Sequence, residues 1–344
     1  MEVNGVKLRV EGNRIIVTVK GKEFYAEYPY DMSDVSEDLL RAMLYTLFIG
    51  LIDMPAPAQT SERKGDKVLL SFSGGADSYA LYEAIDCIPV YLNRYYQSDY
   101  GKNQQEIVDV VGAIRINNDM ELIRTMFDKK HGFNWGCGYV SLILPLADKL
   151  KAKYIALGVV FDDACFHPEN GKIKYVYDEL GGRSWYKTEH FNKIAGCGVD
   201  VIWPFVGVSE AITTAISKGG KHASLVSSCH FSDKKDCGKC VKCLRKSEKV
   251  QIDAQMQKVV DGFVRRPKMA PTMVHSLKKY YEKYKHINTD LVWDLHKHLT
   301  EGWNPDFVTR QVLNLGYNVT DNNEKILKFV KQYNDNCSPA DMEK

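Results

Sequence analysis

The sequence lacks the features that would take a chain into a membrane or out of a cell. No apolar run approaches the eighteen or so residues needed to span a bilayer. The opening Met1-Glu-Val-Asn-Gly5 does not follow the basic, apolar, small-residue order of a secretory leader. Nine cysteines form no evenly spaced framework, which excludes a small disulfide-stapled scaffold. Low-complexity tracts and internal repeats are absent too, which excludes a solenoid or a wholly disordered chain. The expectation is a soluble, cytoplasmic protein.

What is present is ordinary for a folded chain: 344 residues, 44% hydrophobic and 26% charged. At about 150 residues per domain this suggests two domains, or one large domain with extensions. The net charge of +2 is unevenly placed, because residues 219–285 carry sixteen Lys and Arg against six Asp and Glu, leaving −8 for the remainder. Such a stretch is either a solvated face beside bound thiolates or a surface for an acidic partner, nucleic acid or protein. Within it, Lys278–Lys285 interleaves tyrosine and lysine, as nucleic-acid surfaces and amphipathic helices both do.

Residues 1–60 read as a small separate unit. Val6–Val10, Arg14–Val19 and Glu23–Tyr28 are β-prone runs split by turns, followed by a helix from about Asp34 to Leu51 with Asp34 and Glu37 spaced as a capping box. This unit suits packing, partner binding or a homodimer contact. Residues 54–66 read as a linker. From 65 to 250, apolar runs at Val68–Phe72, Ile88–Asn93, Ala113–Asn117, Tyr154–Val160, Val201–Phe205 and Ser224–Val226 alternate with helical stretches near 78–86, 119–127, 139–150, 184–195 and 208–218. Continuous apolar strands between helices predict an α/β fold with a doubly wound parallel sheet, its ligand crevice beyond the strands' C-terminal ends. Residues 251–344 read as a helical extension.

The first of those strands runs into Ser73-Gly74-Gly75-Ala76-Asp77-Ser78 and then a helical stretch. Two glycines allow a sharp turn and close approach of an anion to backbone N–H groups at a helix start, where the dipole adds attraction. Ser73 and Ser78 add hydroxyl donors, and Asp77 either orients the loop or holds a divalent cation. No Gly-Lys-Ser/Thr follows, so this is not the loop of ATPases that release the γ-phosphate. Further on, Gly158 precedes Asp162 and Asp163 just past a predicted strand end, and two carboxylates beside a triphosphate call for a cation between them.

Cys229, Cys237, Cys240 and Cys243 form the chain's one cysteine cluster, with two-residue gaps and Gly238 at the turn. Four thiolates that close a tetrahedron make a structural zinc site, with an iron–sulfur cluster as the rival occupant and His230 as a substitute ligand. Cys137, Cys165 and Cys197 lie outside the cluster and read as core, Cys137 being the one most exposed to a catalytic use. His167 is a candidate acid–base group, whereas His296 and His298, two apart on a predicted helix, share no face.

Ser-Gly-Gly-x-Asp-Ser resembles the pyrophosphate loop of the N-type ATP pyrophosphatases, whose fold is of the adenine nucleotide alpha hydrolase type. Joined to Ser228-Cys229 and Cys237-Gly-Lys-Cys-Val-Lys-Cys243, and to Ile202-Trp-Pro-Phe-Val-Gly-Val-Ser209, it resembles the 7-cyano-7-deazaguanine synthase family over about residues 67–250. The resemblance implies ATP, Mg2+ and Zn2+ as cofactors. Ser73, Gly74, Gly75, Asp77, Ser78 and Gly158 would bind nucleotide, and Asp77, Asp162 and Asp163 would serve the catalytic magnesium–pyrophosphate group. Arg245 is a candidate to neutralise pyrophosphate. It also implies adenylation of a small heterocyclic carboxylate, displacement of AMP by ammonia or another amine, then a second activation and dehydration to a nitrile. Where that family carries Arg-Asn and Tyr-Pro-Asp-Cys-Arg segments, this chain has Trp135–Gly138 and Ala164–Pro168. Those positions bear on the substrate rather than on ATP activation. Transfer of a deazaguanine to a macromolecule in antiviral defence or phage base modification, transfer RNA thiolation, and a non-catalytic nucleic-acid-binding module stay open.

Overall fold

A computed structural model of the chain describes residues 1–57, 63, 65–95, 104–133, 135–160, 166–169, 172–175, 196–205, 210–229, 236–238 and 240–246. Asp162, Asp163, Cys165, His230, His296, His298, Lys278–Lys285, the predicted helix at 184–195 and the extension 251–344 lie outside them. At Cys137, His167 and Arg245 the backbone is described and the side chain is not.

The core is built around one strand. In β5 (Lys67–Ser71) successive side chains point to opposite faces, and both faces are apolar. Leu69 packs into one cluster with residues of α1 (Glu37–Leu47), α4 (Trp135–Ile143) and α5 (Leu146–Leu150). Val68 and Leu70 pack into the other, with Tyr79, Leu81 and Ala84 of α2 (Ala76–Ala84) and Ile107 and Val108 of α3 (Gln105–Val110). β6 (Ile88–Arg94) and β8 (Ala152–Leu157) flank β5 in parallel. Outside them lie β7 (Ile114–Asn118), parallel to β6, and β11 (Asp200–Ile202), parallel to β8. α6 (Glu210–Gly219) packs against α2. The chain is thus mixed α/β, and its strand order reverses direction between β5 and β8.

Residues 1–57 do not form a sheet of their own. β1 (Glu2–Val3), β2 (Val6–Glu11), β3 (Arg14–Val19) and β4 (Lys22–Glu27) make an antiparallel meander that continues the parallel strands into one nine-stranded sheet. The joint is β4 against β7, where Ala26 faces Asn118 and Glu27 faces Asn117. Asp119, just past β7, accepts the Tyr25 N–H on its side chain at 2.7 Å and donates its own N–H to Tyr25 O at 3.2 Å. Buried Val6, Ile15 and Phe24 then share a cluster with Leu69 of the central strand.

Four local expectations are corrected. α1 begins at Glu37, not near Asp34, and no side chain caps it. The hydroxyl and N–H of Ser36 both go to Asp148 Oδ2, at 2.6 and 2.9 Å, while Asp34 pairs with Lys149. The stretch 119–127 is a 3-10 helix, Met120–Phe127, and Ser224–Val226 is a 3-10 turn, Ala223–Leu225, rather than a strand. A short hairpin, β9 (Phe166–Glu169) with β10 (Lys172–Tyr175), stands apart from the main sheet. Within the expected linker, Arg63 ties three segments together: it pairs with Asp148, reaches Asp38 Oδ2 at 2.7 Å and donates to Cys197 O at 2.7 Å.

Among the described residues no helix is long and apolar enough to cross a membrane. Because Arg63 holds two carboxylates that are mostly enclosed, Arg63→Met should lower unfolding free energy by about 2–3 kcal/mol in urea titration, somewhat below the cost of breaking a fully buried pair.

Candidate functional site

The glycine loop opens where β5 ends. Phe72 extends the pairing by donating its N–H to Val90 O at 2.9 Å, and α2 starts at Ala76. Between them the chain folds on itself. Ser73 N–H donates to Ser78 Oγ at 3.2 Å, the two serine hydroxyls lie 3.1 Å apart, and Ser78 Oγ–H donates to Gly75 O at 3.0 Å. Gly74 has φ +74°, and a Cβ there would lie 2.3 Å from Gln104 Oε1. Gln104 is fully buried and fixed by donating Nε2–H to Ser227 O at 2.7 Å. Glycine is therefore required at position 74 by conformation and by space together.

Gly158, one residue past β8, packs on the same turn: a Cβ there would come within 3.2 Å of Ser78 Cα and N. Ser73, Gly74, Gly75, Asp77, Ser78 and Gly158 are thus brought together, where the strands on either side of the reversal part company.

Asp77, in the first turn of α2, is engaged on both oxygens. Thr213 Oγ1–H donates to Oδ1 at 2.6 Å, and Lys246 Nζ donates to Oδ2 at 2.5 Å. Lys246 also lies 3.4 Å from Glu210 Oε1, and both of these side chains are almost wholly enclosed. Burial alone would raise the Asp77 carboxyl; the Lys246 ammonium and the Thr213 hydroxyl outweigh it and hold the group below its ordinary value. Asp77 is thus held in place at the start of α2 by Thr213 and Lys246.

The cysteine cluster adjoins this loop. The sulfurs of Cys229, Cys237, Cys240 and Cys243 all lie within 4.8 Å of one another, with Cys237 and Cys243 3.8 Å apart. One zinc with thiolates at about 2.3 Å in a tetrahedron requires sulfur–sulfur distances of roughly 3.8 Å, so the spacing fits a single ion. A multi-iron cluster interposes several metals and sulfides and needs wider spacing. Hydrogen bonding from Cys243, whose N–H donates to Cys240 Sγ at 3.3 Å, lowers the Cys240 thiol, and the neighbouring Cys240 raises Cys243. The four residues can hold a metal ion such as zinc.

Two residues beside the ligands reach the loop. Ser228 Oγ accepts the Ala76 N–H at 3.1 Å, and Lys246, in α7 (Val241–Lys246), holds Asp77. Sequence reading selected Arg245 as the nearby cation. Three residues from Cys243 is the spacing that keeps a helical side chain on the same face, and that residue is Lys246. Thr213 and Gln104 carried no signal in the sequence, since each acts through a contact far along the chain; Ser228 stands in the cysteine motif, but its bond to Ala76 has no local signature.

Cys197 is fully buried, and burial pushes its thiol up to about 11, as for an inert core thiol. A family model described as a family of unknown function, DUF6395, matches residues 190–294, which takes in the cysteine cluster and Lys246 but not the glycine loop. No curated protein and no solved structure matches the chain.

The full chain should bind one zinc per molecule. Cys240→Ser should drop the metal content measured by mass spectrometry to near zero and lower the melting temperature, because three thiolates then share an incomplete tetrahedron.

Proposed function

We propose that the chain is an ATP pyrophosphatase that adenylates a carboxylate on a deazapurine-type heterocycle and passes the acyl group to ammonia or another amine. The observation that carries this reading is a self-bonded serine–glycine turn at a helix start, set at the reversal of strand order and bracketed by a four-cysteine cluster. Parallel strands ordered β7-β6-β5-β8-β11, with apolar helices on both faces, support a doubly wound sheet of the adenine nucleotide alpha hydrolase type.

The proposed roles divide among the loop, its supports and the acidic pair. The N–H groups at the start of α2 beyond Ala76, with the Ser73 hydroxyl, would receive the β and γ phosphates, while Ser78 shapes the turn around them. Gly74 and Gly158 leave the space that side chains would fill. Asp77 orients the first turn, with Lys246 balancing its charge. Asp162 and Asp163, four and five residues after Gly158, are the proposed magnesium ligands. Magnesium would offset the triphosphate charge. The substrate carboxylate attacks the α-phosphorus, the bond to the β-phosphate breaks, and pyrophosphate departs with the electron pair. The amine nitrogen then attacks the acyl carbon, a proton is lost, and AMP leaves. Donors fixed in advance stabilise the charge that builds on the phosphates. A zinc held by Cys229, Cys237, Cys240 and Cys243 would have no position open to substrate, so its role would be structural. The surplus of positive charge at 219–285 favours, as a second reading, a macromolecular acceptor in place of ammonia.

Mass spectrometry of the full chain with ATP, Mg2+ and 7-carboxy-7-deazaguanine, with and without ammonia, tests the proposal. AMP and pyrophosphate should appear with an acyl-adenylate, amide or nitrile, and Cys137→Ser and Cys165→Ser should keep turnover. ADP and phosphate as the only nucleotide products, or pyrophosphate released only with transfer RNA, would overturn it. Gly74→Ala should weaken ATP binding about tenfold or more, since a left-handed alanine costs roughly 1–2 kcal/mol and its methyl displaces Gln104.

A further inference from the structure

We propose that the cysteine cluster and the glycine loop form one coupled unit, in which Ser228 and Lys246 are positioning residues through which ion occupancy sets the geometry at the start of α2. The inference rests on the nucleotide reading above for the identity of the loop's ligand.

Each support is tied to a candidate ligand at very short range. Ser228 directly precedes Cys229, so their Cα atoms are about 3.8 Å apart, and its Oγ takes the Ala76 N–H at 3.1 Å. Lys246 follows Cys243 within α7, one helical turn on, and its Nζ reaches Asp77 Oδ2 at 2.5 Å. Cys229 and Cys243 come from opposite ends of the metal-binding segment, yet their sulfurs lie within 4.8 Å of each other. One ion that closes the tetrahedron therefore fixes both supports at once.

The supports act on consecutive residues, Ala76 and Asp77, at the helix start where a polyphosphate would lie. Asp77 places a negative charge at that same point, and Lys246 cancels it from the side of the cluster. Without an ion the four sulfurs lose their common attraction. Ser228 and Lys246 then lose their fixed positions, and Asp77 faces the incoming anion with its main counter-charge displaced. Linkage makes the effect reciprocal: if the ion improves polyphosphate binding by some factor, bound polyphosphate must hold the ion more tightly by the same factor.

The test uses the full chain, zinc-loaded and zinc-stripped, with magnesium-ATP as the probe. Equilibrium dialysis should show ATP binding about tenfold tighter to the loaded form, within the usual range of coupling between sites. Competition against a chelator of known affinity, with an ATP-only control, should show zinc held more tightly by the same factor at saturating ATP. The combined Ser228→Ala and Lys246→Met variant should keep one zinc per chain while both factors fall toward one, and Lys246→Arg should restore most of the coupling. Circular dichroism checks that each variant is folded, and the wild-type reciprocity stands as a test should the double variant not fold. ATP that binds with equal affinity to both forms, and leaves zinc affinity unchanged, overturns the coupling and leaves the nucleotide reading intact. No ATP binding to the zinc-loaded chain overturns both.

Discussion

The start of α2 is held from two directions by residues that neighbour metal-ready cysteines, and the site depends on that clamp. A glycine-rich turn has little shape of its own, because glycine loses more conformational freedom on folding than any other residue. Here the turn is shaped internally by the Ser73 and Ser78 hydroxyls and externally by Ser228 on Ala76 and Lys246 on Asp77. Gln104 closes the remaining side, where it blocks any residue larger than glycine at position 74.

The electrostatics make the clamp more than a fastening. A carboxylate in the first turn of a helix suits the dipole, but at the proposed anion site it would compete with the ligand for the same positive end. Lys246 resolves the conflict by sitting between Asp77 and Glu210 in an enclosed position. Its burial is tolerable because it has carboxylate partners; removing Lys246 would leave both carboxylates without their shared counter-charge. The sheet supplies the rest of the positioning. β5 is apolar on both faces and anchors α2 on one of them, while β8 delivers Gly158 against Ser78.

Much of this was legible in the sequence, and the exceptions share a cause. Arg14–Val19 and the strands around the loop were marked by apolar runs and turn residues close to one another in the chain. Ser73–Ser78 and the four cysteines were marked by spacing. The capping box failed because Ser36 and Asp34 found partners in Asp148 and Lys149, more than a hundred residues away, and tertiary contact overrode the local signal. The meander looked separate because nothing local to β4 announces that Asp119 will receive Tyr25. Arg63 lies in a polar stretch that reads as a linker, and Lys246 reaches the loop through its helical phase relative to Cys243, which a count of charge alone does not reveal. Ser224–Val226 is apolar enough for a strand, yet the preceding His222 N–H is drawn to Tyr79 Oη and the segment closes into a turn.

The most direct test of the clamp is amide hydrogen exchange on the zinc-loaded and zinc-stripped chain, followed at Ala76 and the first turn of α2. Loss of zinc should speed exchange there while the amides of β2, β3 and β4, far along the sheet, keep their protection. Unchanged exchange at Ala76 after complete removal of the metal would contradict the account, because the loop would then owe its shape to something other than the cysteine segment.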